Sequence, residues 1–206
     1  LQYYIGVGSH PGFNPCTGPL LLYYILGIGN LAAKAKETHR VIAIVDNSLG
    51  NIGSIYNMLK KLGIKSKITC DQDEISSADK LILPGVGAFD KGIANLHQKD
   101  LWDVLNHKVI EKKTPVLGIC LGMQLMGFGS EEGCATGLGW VDAYSRKFAF
   151  SEEERKTYKV PHMGWNTLDL KKTDGLYKDW QGESRFYFVH SYHMVFETPE
   201  NISATA

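Results

Sequence analysis

The chain has no net charge to offer a polyanion: 22 Lys plus Arg are balanced by 22 Asp plus Glu in 206 residues. Without an overall attractive field, neither nucleic acid nor an anionic membrane surface is an expected partner. Long apolar runs are missing too. A bilayer-spanning helix needs roughly 18 to 20 apolar residues, and the longest run, residues 19–28, is broken by Gly29 and Asn30. Residues 1–18 contain no Lys or Arg and no A-x-A-like site follows that run, so a secretory leader is not expected. Cysteine is sparse. Cys16, Cys70, Cys120 and Cys134 are widely spaced and form no C-x-x-C pair, which excludes a disulfide scaffold and fits free thiols in a reducing cytoplasm. Neither these cysteines nor the seven histidines show zinc-ligand spacing, so no metal and no cofactor is expected. The chain also lacks an initial Met, which suggests an incomplete reading frame or a processed fragment.

What is present is 44% hydrophobic and 21% charged sequence, suited to one domain with a substantial core. Residues 1–40 hold Gly, Pro, the apolar run and a basic patch over residues 34–40, and read as an extension of unknown role. From residue 41 an α/β pattern begins. Val41-Ile-Ala-Ile-Val45 has the length and continuity of a strand buried on both faces. Ile52, Ile55, Met58, Leu59 and Leu62 lie on one helical face, with Gly63 as the stop. Strands follow at residues 65–69 and 80–83, a short polar segment begins at Ile75, and helical segments are expected over residues 92–96 and 101–112. Alternating strand and helix predict right-handed crossovers and a doubly wound, mostly parallel sheet. After residue 126 the pattern turns glycine-rich, then alternating. Residues 140–150 and 185–196 predict antiparallel or mixed strands, the latter as a strand pair or one long bent strand, with a charged excursion between at 151–159.

Two loops carry candidate chemistry. In Thr114-Pro-Val-Leu-Gly-Ile-Cys120-Leu-Gly-Met-Gln124, a G-x-C-x-G core places a cysteine between a buried strand and a helix start. Small flanking residues permit a sharp bend, and helix N–H groups beginning at Leu121 would favour a thiolate. A buried packing cysteine is the alternative that this pattern leaves open. The other loop, Pro84-Gly-Val-Gly87, ends a parallel strand, where glycines let a ligand approach the backbone.

Residues 46–51, Leu83-Pro-Gly-Val-Gly-Ala-Phe89, Gly118-Ile-Cys-Leu-Gly-Met-Gln124, Pro161-His-Met-Gly-Trp-Asn166 and Tyr187-Phe-Val-His-Ser-Tyr192 together resemble the class I glutamine amidotransferases. Within them, Pro-His-Met-Gly-Trp-Asn matches the glutaminase-subunit branch of imidazole glycerol phosphate synthase. The resemblance covers residues 41–206 and implies the flavodoxin-like amidotransferase fold. It implies that Cys120 attacks the glutamine amide and forms a glutamyl thioester. Gly85, Val86, Gly87 and Leu121 would form the oxyanion hole and its surroundings, and Gln124, His190, Ser191 and Tyr192 would contact glutamine together with Gly87. Asn51, Met163 and Trp165 would face a (β/α)8 cyclase in a heterodimer, through which ammonia is channelled to make imidazole glycerol phosphate in histidine biosynthesis.

The pattern departs from the family in one respect: the His-Pro-Glu sequence that completes the family's triad occurs nowhere in these 206 residues. Truncation before that motif is the expected explanation. His190 as a substitute base, a non-catalytic binding subunit, a paralogous subunit serving surface-polysaccharide sugar amidation, and a Cys hydrolase are the competing readings.

Overall fold

The computed structural model describes residues 3–4 and 41–206, apart from 174 and 179. The remainder of the expected 1–40 extension, Cys16 included, lies outside the described residues. Strands β1 (Tyr3–Tyr4), β2 (Ile42–Val45), β3 (Ser66–Thr69), β4 (Lys80–Gly85) and β5 (Val116–Cys120) form one parallel sheet in the order β1-β5-β4-β2-β3. Four of these coincide with the strands read from the sequence. β1 was not anticipated, because two tyrosines carry no recognisable period; it pairs along the edge of β5.

The continuous apolar run of β2 is divided between two cores by the two-residue pleat. Ile42 and Ile44 join Ile82 and Leu117 on one face, whereas Ala43 and Val45 join Leu81, Leu83 and Val116 on the other. The second face is covered by helices α2 (Gln72–Ser77), α3 (Phe89–Gln98) and α4 (Trp102–Asn106), through Ile75, Phe89, Ile93, Leu96, Leu101 and Leu105. α4 continues into a π-helical turn, His107–Glu111. There Lys108 is buried, with Nζ donating to the Ser76 and Ala78 carbonyls at the end of α2.

Only a short polar segment was expected near Ile75. α2 forms there because Asp71 accepts from the Glu74 N–H, giving the six-residue helix a cap that its weak periodicity does not signal. α3 likewise extends beyond the expected 92–96.

The first face is covered by α1 (Ile52–Lys61) through Ile55 and Leu59, and also by aromatic side chains of a second layer. Phe186 and Phe188 come from β10 (Arg185–His190), which pairs antiparallel with β8 (His162–Thr167). β11 (Tyr192–Phe196) pairs instead with β7 (Ala143–Lys147), itself beside β6 (Gly129–Ser130). The 185–196 run therefore crosses from one sheet to another at Ser191 and is not a hairpin. β12 (Ala204–Thr205) pairs with β9 (Asp169–Leu170).

Candidate active site

β5 ends at Cys120, and helix α5 (Leu121–Leu125) starts on the next residue. Cys120 has φ 55 and ψ −117, a conformation that costs a non-glycine residue on the order of 1–3 kcal/mol. The adjacent glycines serve a different purpose from the flexibility read in the sequence, since neither has a positive φ. A Cβ on Gly122 would sit 1.8 Å from the Leu83 carbonyl oxygen, and one on Gly118 would sit 2.6 Å from Met123 Cα. Glycine is required there by close approach, while the backbone strain falls on the cysteine itself.

The glycine loop after β4 meets this turn directly. Gly85 pairs with Cys120 across the two strands, and a Cβ on Gly85 would approach Gly122 N to 3.0 Å. The fully buried Asn47 holds the loop from the other side. Its Nδ2 donates to the Pro84 carbonyl at 2.9 Å, its Oδ1 accepts from the Leu49 N–H, and its own carbonyl accepts from Asn95 Nδ2. Both glycine loops thus share the carboxyl edge of the sheet, where open α/β folds bind ligands.

A cleft of about 370 Å³ opens beside the elbow. Gly87, Leu121, Gln124, His190, Ser191 and Tyr192 line it, together with Glu132, Pro161, Met163 and Val189. Six of the eight expected oxyanion and glutamine residues are therefore gathered on one cavity. Gly85 is instead packed under the elbow, and Val86 is partly exposed on the loop. Of the expected partner-facing residues, Met163 and Trp165 are exposed on β8, and Asn51 is exposed at the start of α1. There Asn51 also caps the helix, its Oδ1 accepting from the Ser54 N–H.

Glu132 was missed by sequence reasoning. Its Oε2 accepts from the Phe89 N–H at 2.9 Å, which fixes a carboxylate on the cleft wall. In the sequence nothing separates it from its neighbour Glu131, whose carboxylate is taken up by Arg146 and the Lys147 N–H.

The thiol is not held as the expected thiolate. Burial pushes the Cys120 thiol up from its ordinary range, outweighing the downward pull of the Leu121 N–H, and the negative charge of Glu132 pushes the same way as burial. Nor is His190 free to take the thiol proton. Its Nδ1 lies 2.8 Å from the Tyr192 carbonyl and its Nε2 lies 3.0 Å from His162 Nδ1, so both ring nitrogens are committed. Burial lowers the pKa of both rings and keeps them neutral near pH 7. Among the described residues no group of three or more His, Cys, Asp or Glu could hold a metal ion, and no helix is long and apolar enough to cross a membrane.

A strained cysteine at a strand-to-helix turn, beside a cleft with a fixed carboxylate, is an arrangement in which a thiol can attack a small polar substrate. The chain belongs to the class-I glutamine amidotransferases, whose family model matches residues 43–206. It is 49% identical over 165 residues to imidazole glycerol phosphate synthase subunit HisH 2 of Methanococcus maripaludis, covering 80% of each chain. To the subunit HisH 2 of Pseudomonas aeruginosa it is 47% identical, covering 79% of this chain and 78% of the relative. A solved structure of a glutamine amidotransferase shares the fold at a TM-score of 0.54 and 17% identity, over 76% of this chain and 74% of that one.

Proposed function

We propose that this chain is the glutaminase subunit of an imidazole glycerol phosphate synthase. The observation that carries the reading is the single cleft in which Leu121, Gln124, Glu132 and the 190–192 wall meet beside the strained Cys120. Glutamine fits that chemistry. The Glu132 carboxylate complements its α-ammonium group, and the Leu121 N–H, with a donor from the 84–87 loop, would stabilise the oxyanion as it develops. The Cys120 sulfur adds to the side-chain amide carbon, the C–N bond breaks with a proton delivered to nitrogen, and ammonia leaves a glutamyl thioester. Water then hydrolyses the thioester to glutamate. Because burial holds the thiol protonated, a base must remove that proton, and among the described residues no histidine hydrogen-bonds the thiol; the His-Pro-Glu motif of the family is absent from these 206 residues.

Ammonia released here would pass to a (β/α)8 cyclase in a heterodimer that contacts the exposed Asn51, Met163 and Trp165, with the synthase acting overall as a lyase. The cytoplasm suits this assignment, because Cys70, Cys120 and Cys134 are free thiols.

A second reading, a paralogous subunit serving sugar amidation, draws support from the fully exposed 151–160 excursion that precedes β8 and would present a different surface to a partner. Labelling with a diazoketone analogue of glutamine, read by mass spectrometry, tests the site. Attachment to Cys120 that glutamine prevents and Cys120→Ala abolishes is expected; labelling that ignores both glutamine and this substitution would overturn it. Stimulation of glutamine hydrolysis by a cyclase subunit separates the two partners.

A further inference from the structure

The cleft wall formed by His190, Ser191 and Tyr192 sits at the joint between two sheets, a place where strand pairing alone does not fix the chain. A file of side chains supplies what the ladders omit. The Tyr192 carbonyl can only accept, so His190 Nδ1 carries the hydrogen at their 2.8 Å contact. In a neutral imidazole that leaves His190 Nε2 as an acceptor, and the hydrogen at the 3.0 Å contact must belong to His162 Nδ1. His162 Nε2 is then an acceptor in turn, and Asn166 Nδ2 points at it from 3.5 Å. Asn166 is oriented for this because its Oδ1 accepts from the Thr167 N–H at 2.8 Å. Every donor and acceptor direction in the file is determined by the one before it. Packing holds the rings in register: His162 stacks on Phe188 at 4.7 Å, and Phe148 lies 5.2 Å from His190.

The origin of the file gives it a further role. His162 and Asn166 are half-buried on β8, and the intervening residues Met163 and Trp165 are exposed, Met163 at the edge of the cleft. One short strand therefore presents Trp165 to solvent, lends Met163 to the cleft and braces the cleft wall through His162.

We propose that His162 is a positioning residue for glutamine binding, acting through His190, so that β8 sets the shape of the 190–192 wall. The proposal rests on the glutamine-cleft reading above. Both rings are Nδ1–H tautomers, and the file is intact in the free chain. His162→Phe preserves the stack on Phe188 but removes the donor, leaving His190 Nε2 unpartnered. His162→Asn restores an N–H near the position of Nδ1.

The test combines two measurements on the full chain. Nitrogen-15 NMR of the histidine side chains is expected to show Nδ1–H tautomers at His162 and His190; an Nε2–H tautomer at His190 would overturn the file. Cys120 labelling by the glutamine diazoketone, followed against analogue concentration, reads binding and reactivity separately. His162→Phe is expected to raise the half-saturating concentration on the order of tenfold, the scale set by one lost hydrogen bond, with little change in the limiting rate. His162→Asn should recover most of that loss. Equal half-saturation in wild type and His162→Phe, or failure of His162→Asn to recover when both variants keep the native circular dichroism, refutes the positioning role. Absence of glutamine-protected labelling in the wild type refutes the glutamine reading instead, so the two failures are distinguishable.

Discussion

The two halves of the molecule build the same cleft by opposite means. In the parallel half, β2 is buried at all four positions, and the elbow depends on places where no Cβ fits. In the antiparallel half, β8 alternates half-buried and exposed along its length, and its inward residues act through directional hydrogen bonds. Cys120 is thus located by excluded volume and the 190–192 cleft wall by polar side chains. The first mechanism tolerates almost no substitution, whereas the second leaves exposed residues of the same strand, Trp165 among them, available to another molecule. Substitutions of graded severity can break this contrast.

Gly122→Ala should have the largest effect. The new methyl would lie 1.8 Å from the Leu83 carbonyl oxygen, a backbone atom that cannot move aside without shifting β4. Overpacking typically costs about 1–3 kcal/mol and occasionally more, and a clash with backbone falls at the upper end, against a total stability of only about 5–15 kcal/mol. Urea denaturation followed by circular dichroism should show a sharply lowered midpoint or a chain that does not fold. A midpoint within error of wild type would mean that the elbow is looser than these contacts require.

Asn47→Ala comes next. It removes the donor to Pro84 and the acceptor for Leu49 inside a fully buried site, leaving unsatisfied groups that cost about 1–3 kcal/mol. The same denaturation measurement should find a smaller loss than for Gly122→Ala, accompanied by slower diazoketone labelling as the 84–87 loop loosens.

How far the sequence foretells this structure follows the same division. The core strands, α1 and the elbow were legible because continuous apolar runs, 3.6-residue spacing and G-x-C-x-G each have a local physical cause. Cys120 was readable as a nucleophile candidate for that reason. Its protonation was not: a helix start at Leu121 argued for a thiolate, while the burial that outweighs it arises from residues distant in sequence. Glu132 was hidden because its distinction from Glu131 is a single backbone contact to Phe89, 43 residues earlier. The crossing at Ser191 was left open between a strand pair and a bent strand, since alternation reports a strand but not its partner.

The reactivity of Cys120 probes the boundary between the halves. Burial raises its pKa, so alkylation by iodoacetamide should accelerate at a higher pH than for free cysteine. The folded state binds this proton more tightly than the unfolded state does. Its contribution to stability is therefore present below the ordinary thiol pKa of 9.0 and is lost as pH rises through the raised value. Glu132→Gln removes the contribution of its negative charge and should move the alkylation profile to lower pH, without reaching that of free cysteine because burial is the larger cause. An unchanged profile would place the carboxylate out of electrostatic contact with the sulfur.

Met163→Ala and Trp165→Ala should change the stability of the isolated chain very little. Met163 is 50% exposed and Trp165 is 42% exposed. Trp165 meets Tyr187 edge-on at 5.6 Å and lies under Arg185 at 5.5 Å, contacts made on the outer face and open to water. Substitutions at such positions usually change stability by no more than about 0.5 kcal/mol. If this face receives a cyclase, however, Trp165→Ala should weaken association by on the order of tenfold or more, because a tryptophan desolvated at an interface is a common energetic anchor. Calorimetric titration against the cyclase subunit, beside denaturation of the isolated chain, reads both quantities. A large stability loss without an affinity loss would make β8 an internal brace and dissolve the contrast between its two faces.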